Sequence, residues 1–193
     1  MCPFYEEGEK LGRLMAAWGS KRAVTGQPRY SVCTGGGPGM MEAVNKGAAS
    51  VEGAYSIGMA IKLPFEHGLN KYVTPSLAFN FHYFFTRKLW MSLPCEALVV
   101  APGGFGTCDE LFELMTLIQC GKADKMPVVL LGGSYWKKVI NWQAMVEAGT
   151  VSATDVDALF FCETAEEATE HIIERLEANE KAGVVGAVGE LKW

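Results

Sequence analysis

The sequence predicts an α/β fold: a Rossmann-like, doubly wound, mainly parallel sheet with helices on both faces. Two observations carry that expectation. Short apolar runs, with no polar face to leave in water, alternate with longer stretches of helical spacing. Two glycine-rich turns stand where an apolar run ends and a helical stretch begins, the place where ligands sit in open α/β sheets.

The elements follow in chain order. Residues 5–18 carry Leu11, Leu14, Met15 and Trp18 at i, i+3, i+4 and i+7, one face of a helix. GSKRAVTGQPRY (19–30) reads as a polar loop, and YSVCT (30–34) as a buried strand. Residues 39–51 are helical in spacing, with Met40, Val44, Ala48 and Val51 on one side. AYSIGMAI (54–61) reads as a strand. FNFHYFFTRKLWM (79–91) reads as an aromatic helix interrupted by Arg87 and Lys88. EALVVA (96–101) is a strand, and 107–120 a helix apolar almost all round. PVVLLG (127–132) and ALFFC (158–162) are strands. The last helix, 164–180, starts at a Thr164 cap and is polar on one face. A length of 193 residues suits a single domain over 1–180, followed by a tail, 181–193.

Composition removes several function classes. Net charge is −5 with no dense Lys/Arg run, which argues against sequence-independent nucleic-acid binding. The six cysteines form no CxxC pair, the usage of a cytoplasmic protein with reduced thiols. His67, His82 and His171 lie far apart without an HExxH, so no metal site is expected. No apolar run approaches the ~18 residues of a membrane span, and the N-terminus lacks a signal-peptide apolar block.

The chemistry concentrates in the two glycine turns. Gly35-Gly36-Gly37-Pro38-Gly39 follows the strand at 30–34, and Gly103-Gly104-Phe105-Gly106 follows the strand at 96–101. Glycine permits φ > 0 and close approach of a ligand, and a helix N-terminus presents N–H groups and partial positive charge to a phosphate. Pro38 suits a first helical position. Neither turn matches GxGxxG with its acidic partner or the P-loop GxxxxGK[ST], so a phosphate site of another design is expected.

Thr107-x-x-Glu110 reads as a capping box, with Thr107 at the N-cap and Glu110 at N3. A phosphate on the same helix end would compete with that cap and leave Glu110 aimed at the sugar. Glu113 lies three residues on, on the same helix face. Two carboxylates among Leu111, Phe112, Leu114 and Met115 are expensive unless paired or facing a cavity. Arg87 suits a fork on phosphate or ribose oxygens, or an ion pair with Glu110. Lys88 either reaches solvent or joins the ligand.

GGGPGMMEA (35–43), TRK (86–88) and PGGFGTCDE (102–110) together closely resemble the LOG (Lonely Guy) family, whose hallmark is an Arg-Lys pair followed by PGG-x-GT-x-x-E. The resemblance runs from about Tyr5 to about residue 178. It implies a phosphoribohydrolase that cleaves the N-glycosidic bond of AMP or of N6-modified cytokinin nucleoside 5′-monophosphates, without a cofactor, in a homodimer or larger homo-oligomer. It implies that Arg87 and Glu110 are the catalytic pair. It places Gly103, Gly104, Gly106 and Thr107 in the phosphate loop and Gly36 and Gly37 in the other nucleotide-facing turn. Lys88, Glu113 and Met40 complete the expected binding set, and the shape of the pocket near Met40, Phe81 and His82 would bear on which base is preferred. The family usually begins with a strand ending in a Gly-Ser turn, whereas this chain starts at what would be the following helix.

Two rivals follow from the same residues. Related Rossmann-like proteins carry the molybdenum cofactor without hydrolysis; the presence of both Arg87 and Glu110 favours the enzyme. Family members are often labelled lysine decarboxylases, an activity needing pyridoxal phosphate on a lysine, and no lysine here stands in a suitable setting.

Overall fold

The computed structural model describes residues 3–62 and 68–183. They divide into two compact units, with the boundary between Met91 and Ser92. The fold is mixed α/β, with parallel strands in two sheets and helices around them, as the sequence predicts.

The first unit runs α1 (Pro3–Ser20), β1 (Ala23–Val24), β2 (Gln27–Pro28), β3 (Val32–Thr34), α2 (Met40–Ala49), β4 (Ser56–Ile61), a 3₁₀ turn (Pro75–Leu77), β5 (Ala78–Phe81) and α3 (Phe84–Ser92). Its main sheet has the order β3-β4-β5, all parallel, with Val32 opposite Ser56 and Gly58 opposite Ala78. β4 turns small residues, Ser56, Gly58 and Ala60, to its buried side. A Cβ on Gly58 would stand 2.6 Å from Leu69 and 2.8 Å from Val73, so only glycine lets those side chains close over the strand. Helices α1 and α2 meet backbone to backbone. A Cβ on Gly12 would run into the Val44 carbonyl and one on Gly47 into the Glu9 carbonyl, while Leu11, Ala16, Ala43 and Ala48 are buried nearby.

Two expectations change in this unit. The polar loop at 19–30 contains a short antiparallel hairpin, β1 with β2. The segment 79–91 is not one helix. Ala78–Phe81 pairs in parallel with β4, and the helix begins only at Phe84, the Arg87 N–H bonding the Tyr83 carbonyl at 3.2 Å. Aromatic residues suit either state, and the available edge of β4 decides for strand.

The second unit runs β6 (Leu98–Val100), α4 (Phe105–Gln119), β7 (Val128–Leu131), α5 (Gly133–Val139), α6 (Trp142–Glu147), α7 (Ala153–Asp157), β8 (Leu159–Cys162) and α8 (Ala165–Lys181). Its sheet is parallel in the order β6-β7-β8. All four residues of the central strand β7 are buried, the pattern of a strand covered on both faces. Val100, Leu111, Val128, Leu130, Trp136 and Leu159 form the core, and the Trp136 indole N–H donates to the Val100 carbonyl at 3.1 Å. Helix α4 buries Leu111 and Leu114 but exposes Phe112, so it covers one face rather than being enclosed all round.

Residues 133–157, left without elements by the sequence, fold as three short helices. Asn141 caps α6, and Ser152 with Asp155 forms a capping box on α7. Helix α8 starts as predicted: Thr164 accepts from the Glu167 N–H, and Glu167 reaches back to the Thr164 N–H. It ends at Lys181, and the tail expected beyond it falls outside the described residues after Gly183. No helix among the described residues is long and apolar enough to cross a membrane.

Candidate functional site

In the first unit the site begins where β3 ends. Thr34 is buried, and the chain turns through Gly35–Gly39 into α2. Gly36 has φ 72°, and a Cβ there would collide with Leu69 and approach the Gly58 Cα at 3.4 Å. The positive φ is what calls for glycine. Gly39 is the N-cap of α2, with φ 70°. Pro38 therefore precedes the cap instead of occupying the first helical position, because Gly39, with its positive φ, is the N-cap and the helix begins at Met40. Met40 opens α2 with its sulfur lying against Gly8 of α1.

Four polar side chains that the sequence reading passed over hold this turn. Thr34 accepts from the Gly36 N–H at 2.9 Å and donates to Asn45 Oδ1 at 2.6 Å. Asn70 donates to the carbonyls of Gly36 and Gly37 and to Asn45 Oδ1. Asn45, fully buried, donates to the Ser56 hydroxyl and the Ile57 carbonyl. A signal was available: an asparagine inside the apolar face of the 39–51 helix must have buried partners.

Arg87 and Lys88, both partly buried, lie on α3 in the same unit. The Arg87 guanidinium stands 5.8 Å from the Phe84 ring centroid, with Nη1 3.6 Å from the Met91 sulfur. Its Nε is shielded from solvent. Around it Phe79, Tyr83, Phe84, Phe85, Leu89 and Trp90 are exposed. Phe81 is half-buried and His82 exposed.

In the second unit β6 leads through Gly103 and Gly104 into α4, which begins at Phe105. Thr107 is thus not an N-cap, and the capping box with Glu110 does not form: Gly104 is the N-cap and no side chain caps the helix. The Thr107 side chain instead lies over Gly103, filling the space a Cβ there would need. Gly103 also accepts from the Tyr135 hydroxyl at 2.7 Å, an anchor for the turn that the sequence reading missed. A Cβ at Gly104 or Gly106 would meet nothing within 4 Å, and neither residue has a positive φ. Open space above the backbone, not strain, distinguishes those two glycines. Glu110 is half-buried on the second turn of α4, and Glu113 follows three residues on with its Oε2 shielded from solvent.

Helix ends elsewhere make the contrast plain. Helices α6, α7 and α8 carry Asn141, Ser152 and Thr164 as caps. At α5, whose N-cap is Gly132, the Glu163 carboxylate accepts from the Ser134 N–H at 2.6 Å. Only α2 and α4, of these six, start on a glycine with no side-chain acceptor at the first turn. Their leading N–H groups and the positive end of each helix dipole are left for an external anion.

A family model described as possible lysine decarboxylase matches residues 41–172, more than half of the chain. The chain belongs to the LOG family. Over 97 residues it is 33% identical to a cytokinin riboside 5′-monophosphate phosphoribohydrolase of Arabidopsis thaliana, covering 49% of this chain and 45% of that protein. The chain thus spans less than half the length of that plant relative. A cytokinin riboside 5′-monophosphate phosphoribohydrolase of Mycobacterium marinum is 26% identical over 160 residues, covering 82% of this chain and 83% of that protein. Among solved structures, the molybdenum cofactor carrier protein MCP of Chlamydomonas reinhardtii aligns with a TM-score of 0.56 at 19% identity, over 92% of this chain and 90% of that one. That likeness speaks to the fold of this LOG-family chain and not to its activity.

Proposed function

We propose that this LOG-family chain is a cytoplasmic nucleoside 5′-monophosphate phosphoribohydrolase acting on AMP or its N6-modified cytokinin forms. The observation that carries the reading is the pair of glycine-started helices, α2 and α4, whose first N–H groups no side chain caps. A 5′-phosphate supplies the anion such ends attract. Family membership and the names of its relatives supply the reaction class.

In this reading Gly103, Gly104, Gly106 and Thr107 hold the phosphate, and the turn at Gly36 and Gly37, with Met40, faces the nucleotide. Phosphate binding positions the bond to be cleaved. Water adds to C1′ while the C1′–N bond breaks with its electron pair going to the base, and the water proton ends on the departing base. The products are free base and ribose 5-phosphate. Positive charge builds on the ribose as that bond stretches. Glu110 stabilises this charge and takes the proton of the attacking water. Arg87, with Lys88, anchors the phosphate or ribose, and Glu113 holds a sugar hydroxyl or a neighbouring cation.

Glu110→Gln is expected to abolish release of free base from AMP, by at least about a hundredfold, while nucleotide binding survives. Chromatography of the products, with a parallel binding titration, checks this. Wild-type turnover in that variant removes Glu110 from the chemistry. Binding of AMP by the wild type with no base released favours a non-hydrolytic nucleotide-binding protein instead.

A further inference from the structure

The polar cluster beneath the first glycine turn is closed on itself. Asn45 Oδ1 accepts from Thr34 at 2.6 Å and from Asn70 at 2.9 Å, and its amide donates to Ser56 Oγ at 2.9 Å and the Ile57 carbonyl at 3.2 Å. The Ser56 hydroxyl returns a bond to the Asn45 carbonyl at 3.2 Å. Every donor and acceptor of the Asn45 side chain is therefore used, on a residue with no exposed surface. Such a cluster holds one arrangement, since any shift leaves a buried polar atom without a partner.

Asn70 is the member that touches the turn from outside it. Its Nδ2 lies 3.0 Å from the Gly36 carbonyl and 3.1 Å from the Gly37 carbonyl, and its backbone N–H bonds the Gly36 carbonyl at 2.7 Å. Its Oδ1 accepts from the Tyr72 N–H at 3.1 Å, which fixes the amide's orientation. Two consecutive carbonyls are thus drawn to one side of the turn. In a trans peptide the N–H points opposite to the preceding carbonyl, so the Gly37 N–H is directed away from Asn70. The Gly36 N–H is already committed to Thr34. Among the described residues the Gly37 N–H has no hydrogen-bond partner.

We infer that Asn70, braced by Asn45, is a positioning residue that sets the peptide planes at Gly36 and Gly37 and thereby the affinity of that turn for its ligand. This inference rests on the phosphoribohydrolase reading for the identity of the ligand, a nucleoside 5′-monophosphate. The turn binds the substrate ground state and the transition state alike, so its loss raises KM and leaves kcat in place.

The test compares wild type, Asn70→Ala and Asn70→Asp, the last keeping the size but setting an acceptor before the two carbonyls. Two readouts are taken: kcat and KM for AMP, and the backbone amide resonances of the glycines. Both variants are expected to raise KM about tenfold or more, Asp the more so, with kcat within about twofold. The Gly36 and Gly37 resonances shift while those of Gly103 and Gly104 hold. Folded variants with wild-type KM, or with a fallen kcat at unchanged KM, overturn the inference while the function reading stands. Variants that lose the whole fold also overturn it, because the network is then a scaffold and not a positioning device. A wild type that binds AMP without cleaving it defeats the hydrolase reading alone, and the same comparison is then read from dissociation constants. A wild type that neither cleaves nor binds AMP defeats both.

Discussion

Cys95 shows what one desolvated group does to the whole fold. Burial pushes its thiol up from 9.0 to about 11, with the nearby Glu96 charge acting in the same direction and the hydrogen bonding of the Ala97 backbone too weak to offset it. The folded state therefore keeps its proton over a range where the unfolded chain has lost it. Below 9.0 both states are protonated and the fold loses nothing; between 9.0 and about 11 stability falls as pH rises. The slope from this group is at most about 1.4 kcal/mol per pH unit. Urea midpoints of wild type and Cys95→Ala, measured on both sides of that window, are expected to diverge in it, with the variant losing less.

At the scale of elements, helix termini divide the molecule into scaffold and site. The α8 end is scaffold. Glu167 takes its own N-terminal bonds from the Glu163 and Thr164 N–H groups at 2.9 and 3.2 Å, and these hold its carboxyl below the ordinary value. A depressed carboxyl stabilises the fold above its unfolded pKa and loses that effect as pH falls through the folded pKa. Thr164→Ala, which removes the partner hydroxyl, is expected to cost about 1 kcal/mol at neutral pH. Chemical denaturation of wild type and variant checks this. The acid sensitivity carried by Glu167 is expected to persist in Thr164→Ala and to vanish in Glu167→Gln. The α2 and α4 ends omit such acceptors, and the stability each forgoes is what a bound anion would restore.

At the scale of the whole molecule, the exposed aromatics of β5 and α3 bear on assembly. Phe79, Tyr83, Phe84, Phe85, Leu89 and Trp90 each expose 42% to 68% of their surface, and large exposed apolar patches mark interaction sites. The homodimer or larger homo-oligomer that the family resemblance implies would cover it. Sedimentation at increasing concentration is expected to show self-association, and Phe85→Asp is expected to shift the chain toward monomer. A wild type that stays monomeric at high concentration rejects this part of the reading.

Much of this architecture was legible in the residues because its causes are local. Apolar runs name the strands β3, β4, β6, β7 and β8, helical spacing names α1 and α2, the long apolar stretch names α4, and the Thr164 cap with a polar face names α8. The family motifs, made of glycines, an Arg-Lys pair and a glutamate at set spacing, were readable for the same reason. What tertiary structure alone decided depends on partners distant in the chain. The edge of β4 recruited Ala78–Phe81 as a strand, against the helical reading of 79–91. Thr107 left the cap position because the cap of α4 falls three residues sooner, at the open Gly104. Asn45 and Asn70 became the hold on Gly36 and Gly37 only when the fold brought residues 34, 45, 56 and 70 together. A side chain's periodicity is written in its neighbours along the chain, whereas a buried hydrogen bond exists only once its partner arrives through space.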